Sequence, residues 1–126
     1  MTNMLYSYYP APPNSIWEVG FFPLPEERKS AFDFIEELPV KIQSTVKNKI
    51  RTQRKLEKQD WPPKWEIKSI NNNLYQFTPT KKYRLYFTLD GNTIVFLHAC
   101  KKVKGKADKL DIARAKSHRD MYYSEK

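Results

Sequence analysis

The stretch from Tyr83 to Lys101 reads YRLYFTLDGNTIVFLHACK, two apolar-rich runs about a short polar break. In the first run Tyr83, Leu85 and Phe87 share one face and Arg84, Tyr86 and Thr88 the other, which is the period of a strand. Asp90-Gly91-Asn92 supplies a hairpin turn, because Gly and Asn tolerate the positive φ that such turns need. The second run, Thr93 to Lys101, is apolar on both faces, as expected of a central strand covered from both sides.

Outward from this hairpin, the C-terminal side continues as a basic loop, KKVKGK (101–106), and a predicted helix from about Ala107 to Tyr122. Asp108 stands near its start, and Leu110, Ala113 and Met121 align as its inward side. On the N-terminal side WEIKSI (65–70) and LYQFT (74–78) flank Asn71, Asn72 and Asn73, giving either a hairpin or one long strand with a bulge. DWPPK (60–64) is a loop, since consecutive prolines cannot continue a helix. Before it, a helix opens after Pro39 and keeps Ile42, Val46, Ile50 and Leu56 in one apolar arc to about Gln59. An earlier helix starts at Pro25, with Glu26 and Glu27 complementing its dipole and Phe32, Ile35 and Leu38 on one face. Ile16 to Phe22, IWEVGFF, reads as a first strand, and residues 1–15 as an extended Tyr/Pro-rich arm with no assigned chemistry. The expectation is one domain over 16–126 of the α+β class, ordered β-α-α-β-β-β-α, with two N-terminal helices on a mostly antiparallel sheet and a C-terminal helix.

At 126 residues with 40% hydrophobic content, the chain can bury one core without staples. Its 23 Lys and Arg against 14 Asp and Glu give a net charge of +9, which attracts phosphate chains or other anionic partners at long range. A solvated, solubility-tuned surface has the same composition. The second helix concentrates the charge in Lys41, Lys47, Lys49, Arg51, Arg54, Lys55 and Lys58, with Glu57 almost the only acid. Such runs are usually solvated faces, but a single sign also suits a phosphate backbone. Cys100 is the sole cysteine, so no intramolecular disulfide forms, and its apolar setting favours a buried structural thiol over a nucleophile. No run reaches the ~20 apolar residues of a membrane span, and the N-terminus lacks the order of a signal peptide, so a cytoplasmic protein with no membrane partner is expected.

One set of residues carries more than composition. Leu74-Tyr75, then Tyr83-Arg84, then Ile94-Val95-Phe96-Leu97-His98, then Lys101-Lys102, then Ile112-Ala113-Arg114-Ala115 with Arg119-Asp120 and Tyr122, follow one another on the expected elements. In that order and spacing they resemble the RelE superfamily and, within it, the HigB and phage-derived toxin branch. The resemblance reaches back to the strand at Ile16 and spans nearly all of the chain except the arm. It implies a RelE-like fold and the toxin of a type II toxin–antitoxin system: a ribosome-dependent, metal-independent endoribonuclease that cuts mRNA during translation, needs no cofactor, and is neutralised by a helix-turn-helix, HigA-like antitoxin. Where many relatives carry Glu-Leu-Arg after the Leu-Tyr, this chain reads Gln76-Phe77-Thr78, so an arginine expected to face the substrate is missing. Ala99-Cys100 likewise replaces a usual Gly-Phe. A non-catalytic toxin of the gyrase-inhibiting kind and a catalytically silent RNA-binding relative are the alternatives on the same fold.

Metal-free RNA cleavage needs the 2′-OH deprotonated, the phosphorane stabilised and the 5′-oxygen protonated. Arg84 is the first candidate to grip the scissile phosphate, its guanidinium offering paired N–H donors, though a surface arginine in an ion pair would show the same alternation. Lys101 and Lys102 leave a buried strand with fixed roots, and Lys102 is placed among the catalytic group. Lys104 and Lys106 follow on the loop that Gly105 lets turn, and Lys81 and Lys82 offer charge where the arginine is missing, without its fork. His118, near Tyr122 and Tyr123 on the last helix, is the better histidine for proton transfer, although a histidine on a polar helix face is usually just exposed. His98, between Leu97 and Ala99, reads as a satisfied structural residue. Tyr122 is a candidate base or stacking partner and equally a C-terminal anchor. No metal site is expected, since the two histidines show no ligand spacing and the carboxylates do not cluster.

Overall fold

Gly91 takes φ +60° at the predicted turn, joining β5 (Tyr83–Asp90) to β6 (Thr93–Lys101). The computed structural model describes residues 5–6, 11–22, 30–62, 66–102 and 106–125. Around this hairpin lie β1 (Leu5–Tyr6), β2 (Glu18–Phe21), β3 (Ile67–Asn71) and β4 (Leu74–Thr80), with helices α1 (Ala31–Glu36), α2 (Val40–Arg54) and α3 (Lys106–Glu125). The sheet runs β1-β2-β6-β5-β4-β3, antiparallel throughout except where β2 lies parallel to β6. The class is α+β, as the residue pattern predicts.

Strand β6 is central, and Ile94, Val95, Phe96 and Leu97 are each 0% exposed. Both faces are covered, but by different helices. Phe21, Leu85, Phe87, Ile94 and Phe96 pack with Ala31 and Ile35 of α1 and Val46 and Ile50 of α2. Tyr86, Val95, Leu97 and Leu74 pack with Phe22 and with Ala115 and Tyr122 of α3. A β-bulge interrupts the β5–β6 ladder, where Tyr86 faces His98 but Phe87 faces Phe96. The extra residue, Leu97, leaves both itself and His98 on the α3 side, because directly paired residues share a face.

Several boundaries differ from the sequence expectation. Among the described residues α1 opens at Ala31, with Ser30 extended (φ −68°, ψ 167°) and capping it in a reciprocal box with Asp33, while the expected start at Pro25 falls within 23–29, outside the described residues. The second helix stops at Arg54 rather than Gln59, because the Arg54 carbonyl accepts the N–H groups of Ile16 at 2.7 Å and Trp17 at 3.2 Å from the incoming strand. A 3-10 turn at Lys58–Asp60 follows. Of the two readings of the Asn-rich segment, the hairpin is the one formed, with Asn73 at φ 48° in its turn. Within the N-terminal arm, Leu5–Tyr6 adds an antiparallel edge strand to β2.

Candidate nucleic-acid interface

The β4–β5 turn and the end of β6 meet at one corner of the sheet. The Lys102 N–H donates to the Lys82 carbonyl at 2.7 Å, and the Lys82 N–H to Thr80 Oγ1 at 3.2 Å, so strand end and turn are tied together. A cavity of about 330 Å³ opens at this corner, lined by Lys49, Thr78, Pro79, Thr80, Lys81 and Lys102. Lys49 reaches it from α2 and is steadied by an ion pair to Glu66 at 2.6 Å, with its own side chain 42% exposed. Lys49, Lys81 and Lys102 bring positive charge to one concavity, that of Lys49 shared with Glu66, and an anion placed there is attracted by it. The threonine hydroxyls add neutral hydrogen-bonding groups, so the chemistry of the corner suits a phosphate group.

Of the residues singled out from sequence, Lys81 and Lys102 line this cavity together. Lys82 and Lys101 are exposed beside it, Lys101 pairing with Tyr83 across the ladder. Lys104 lies outside the described residues, and Lys106 is described only as the first residue of α3. Arg84 does not join the cavity wall. It pairs with Cys100 on the α3 side of the sheet, where its guanidinium sits beside the Tyr86 phenol. That phenol is pushed up to about 12, chiefly by burial and then by Cys100 and Asp111, while Arg84 pulls the other way.

The two proton-transfer candidates on α3 are both inside the molecule. His118 is 3% exposed, its Nδ1 2.9 Å from the Leu97 carbonyl and its ring packed near those of Phe22 and His98. It is neither the exposed helix histidine nor one that reaches the lysine cavity. Tyr122 is 4% exposed and donates to Asp90 Oδ2 at 2.6 Å, the anchor among its alternatives. The cause is the helix phase. The inward line is Asp111, Ala115, His118 and Tyr122, whereas Leu110, expected inside, is 59% exposed. Polar residues on the inward line hid it from a hydrophobic pattern.

The basic run of α2 also divides. Arg54 is 3% exposed, its Nε donating to the Trp17 carbonyl at 3.0 Å, and burial pulls its guanidinium below the ordinary value against the opposing pull of Glu18. Lys47 pairs with Glu36 at 2.8 Å, and Lys58, beyond the end of α2 in the 3-10 turn, lies over the Tyr75 ring. Lys49, which no pattern distinguished from its neighbours, is the member that reaches the cavity. His98 is held as expected of a satisfied histidine, its Nε2 2.8 Å from Asp111 Oδ1.

The central antiparallel sheet, the paired N-terminal helices and the C-terminal helix define a RelE-like α+β protein. The family model described as phage derived protein Gp49-like (DUF891) matches residues 33–120, and the chain belongs to that family, which is of the RelE toxin-like kind. No curated protein and no solved structure matches the chain. Among the described residues, no helix is long and apolar enough to cross a membrane.

Proposed function

We propose that the chain is the toxin of a type II toxin–antitoxin system of the HigB kind, a cytoplasmic protein that engages mRNA on the ribosome and cleaves it without a metal. The observation that carries this reading is the cavity in which Lys49, Lys81 and Lys102 converge with Thr78 and Thr80. The lysines hold the RNA backbone and neutralise the charge that builds on the phosphorane, and a helix-turn-helix antitoxin covers the corner when the toxin is silent. A second reading, an RNA-binding relative that leaves its target uncut, is favoured by one specific observation: His118 and Tyr122 are both buried away from the cavity.

Transcript ends mapped after induction of the chain without its antitoxin separate these readings. New 5′ ends within translated messages, abolished together with growth arrest in Lys81→Ala/Lys102→Ala, are expected. Arrest with intact messages removes the nuclease reading, and arrest with DNA damage points to a gyrase-type target instead.

A further inference from the structure

Strand and helix bring together a second set of chemically active side chains, on the face of the sheet that carries α3. His98 and Cys100 stand two residues apart on β6 and so share a face, and Asp111 comes from the second turn of α3. One donor atom from each, an imidazole nitrogen, the Cys100 sulfur and a carboxylate oxygen, lie within 4.8 Å of one another. The set is enclosed without being sealed, with Asp111 buried and His98 and Cys100 half-buried.

We propose that His98, Cys100 and Asp111 form a binding site for a divalent metal ion of the zinc class. The donor set decides the class: a nitrogen, a sulfur and an oxygen together suit a borderline-soft cation, whereas magnesium and calcium take oxygen ligands. Bonds of ~2.0–2.3 Å in a tetrahedral site put neighbouring donors about 3.3–3.8 Å apart. The Cys100 sulfur reaches that spacing by closing at most about 1 Å on the other two donors, while the His98–Asp111 pair, at 2.8 Å, opens by about 0.5 Å to admit the ion. As thiolate and carboxylate, Cys100 and Asp111 cancel the charge of a divalent ion, which lowers the cost of holding it in a half-buried place.

Sequence spacing conceals this set, because thirteen positions separate His98 from Asp111 and the third member is a lone cysteine. The β5–β6 bulge creates it. By adding Leu97 to the ladder, the bulge shifts the alternation beyond Phe96, so that His98 and Cys100 both face α3. A bound ion therefore cross-links β6 to α3, independently of the lysine cavity.

The test uses the untagged full chain, stripped with a chelator and titrated with Co²⁺ as a spectroscopic probe. One Co²⁺ per chain with tetrahedral visible bands and a thiolate-to-metal charge-transfer band is expected, and Zn²⁺ should displace it and raise the melting temperature. Cys100→Ser abolishes the charge-transfer band. Asp111→Asn, which keeps a hydrogen-bonding partner for His98 and so preserves the fold, weakens Co²⁺ binding by more than about tenfold. Absence of a charge-transfer band in the native chain, or unchanged affinity in Asp111→Asn, overturns the proposal.

Discussion

Tyr86 shows what burial beside other titratable groups does to a single side chain. Its phenol is enclosed beside Cys100, Arg84 and Asp111 and titrates near 12, above the ordinary value near 10. The folded chain therefore favours the neutral phenol, and the stability tied to it is complete below about pH 10 and is lost as pH rises through 12. Denaturant midpoints measured between about pH 9 and pH 12 should fall more steeply in the native chain than in Tyr86→Phe. Parallel curves would mean that the phenol is not held in this way.

At the scale of elements, the β3–β4 turn is fastened to α3 by Arg119, which donates to Asn71 Oδ1 and the Asn72 carbonyl, and to β5 by Asn73. Asn73 donates through Nδ2 to the Leu89 carbonyl at 2.8 Å and to the Tyr123 hydroxyl at 2.9 Å, and its Oδ1 accepts the Leu89 N–H at 3.1 Å. Its φ of 48° is one that glycine also adopts without strain. Asn73→Ala should lose both the bonds and the backbone preference, at about 1–3 kcal/mol, whereas Asn73→Gly should lose only the bonds and unfold at an intermediate denaturant concentration. Equal losses in the two variants would remove the backbone part of this account. The turn itself was legible in the sequence, as were the β5–β6 hairpin and the covered central strand, because Gly and Asn fix local backbone shape and an apolar run fixes depth. The bulge at Leu97 was not, since a run apolar on both sides gives no alternation to interrupt. Nor was the phase of α3, whose inward line carries Asp111 and His118 and so looks polar, although both are hydrogen-bonded inside.

The whole molecule sorts its chemistry by layer. The α1 and α2 side is apolar beneath the helices and ends at the lysine corner, while the α3 side holds the polar cluster around Tyr86, His98 and Asp111. Charge alone, at +9, marked the chain as a partner for anions without saying where they bind. Lys81 and Lys102 were readable as candidates because they flank strand ends. Lys49 was not, because only the packing of α2 against β4 brings it to them. The central claim is that this corner grips an RNA backbone, and the salt dependence of RNA binding tests it most directly. For single-stranded RNA, Lys81→Ala/Lys102→Ala should weaken binding and flatten the slope of log affinity against log salt by about 1.4, at ~0.7 for each phosphate that a lysine no longer neutralises. An unchanged slope in that variant, with the fold intact, would contradict the claim.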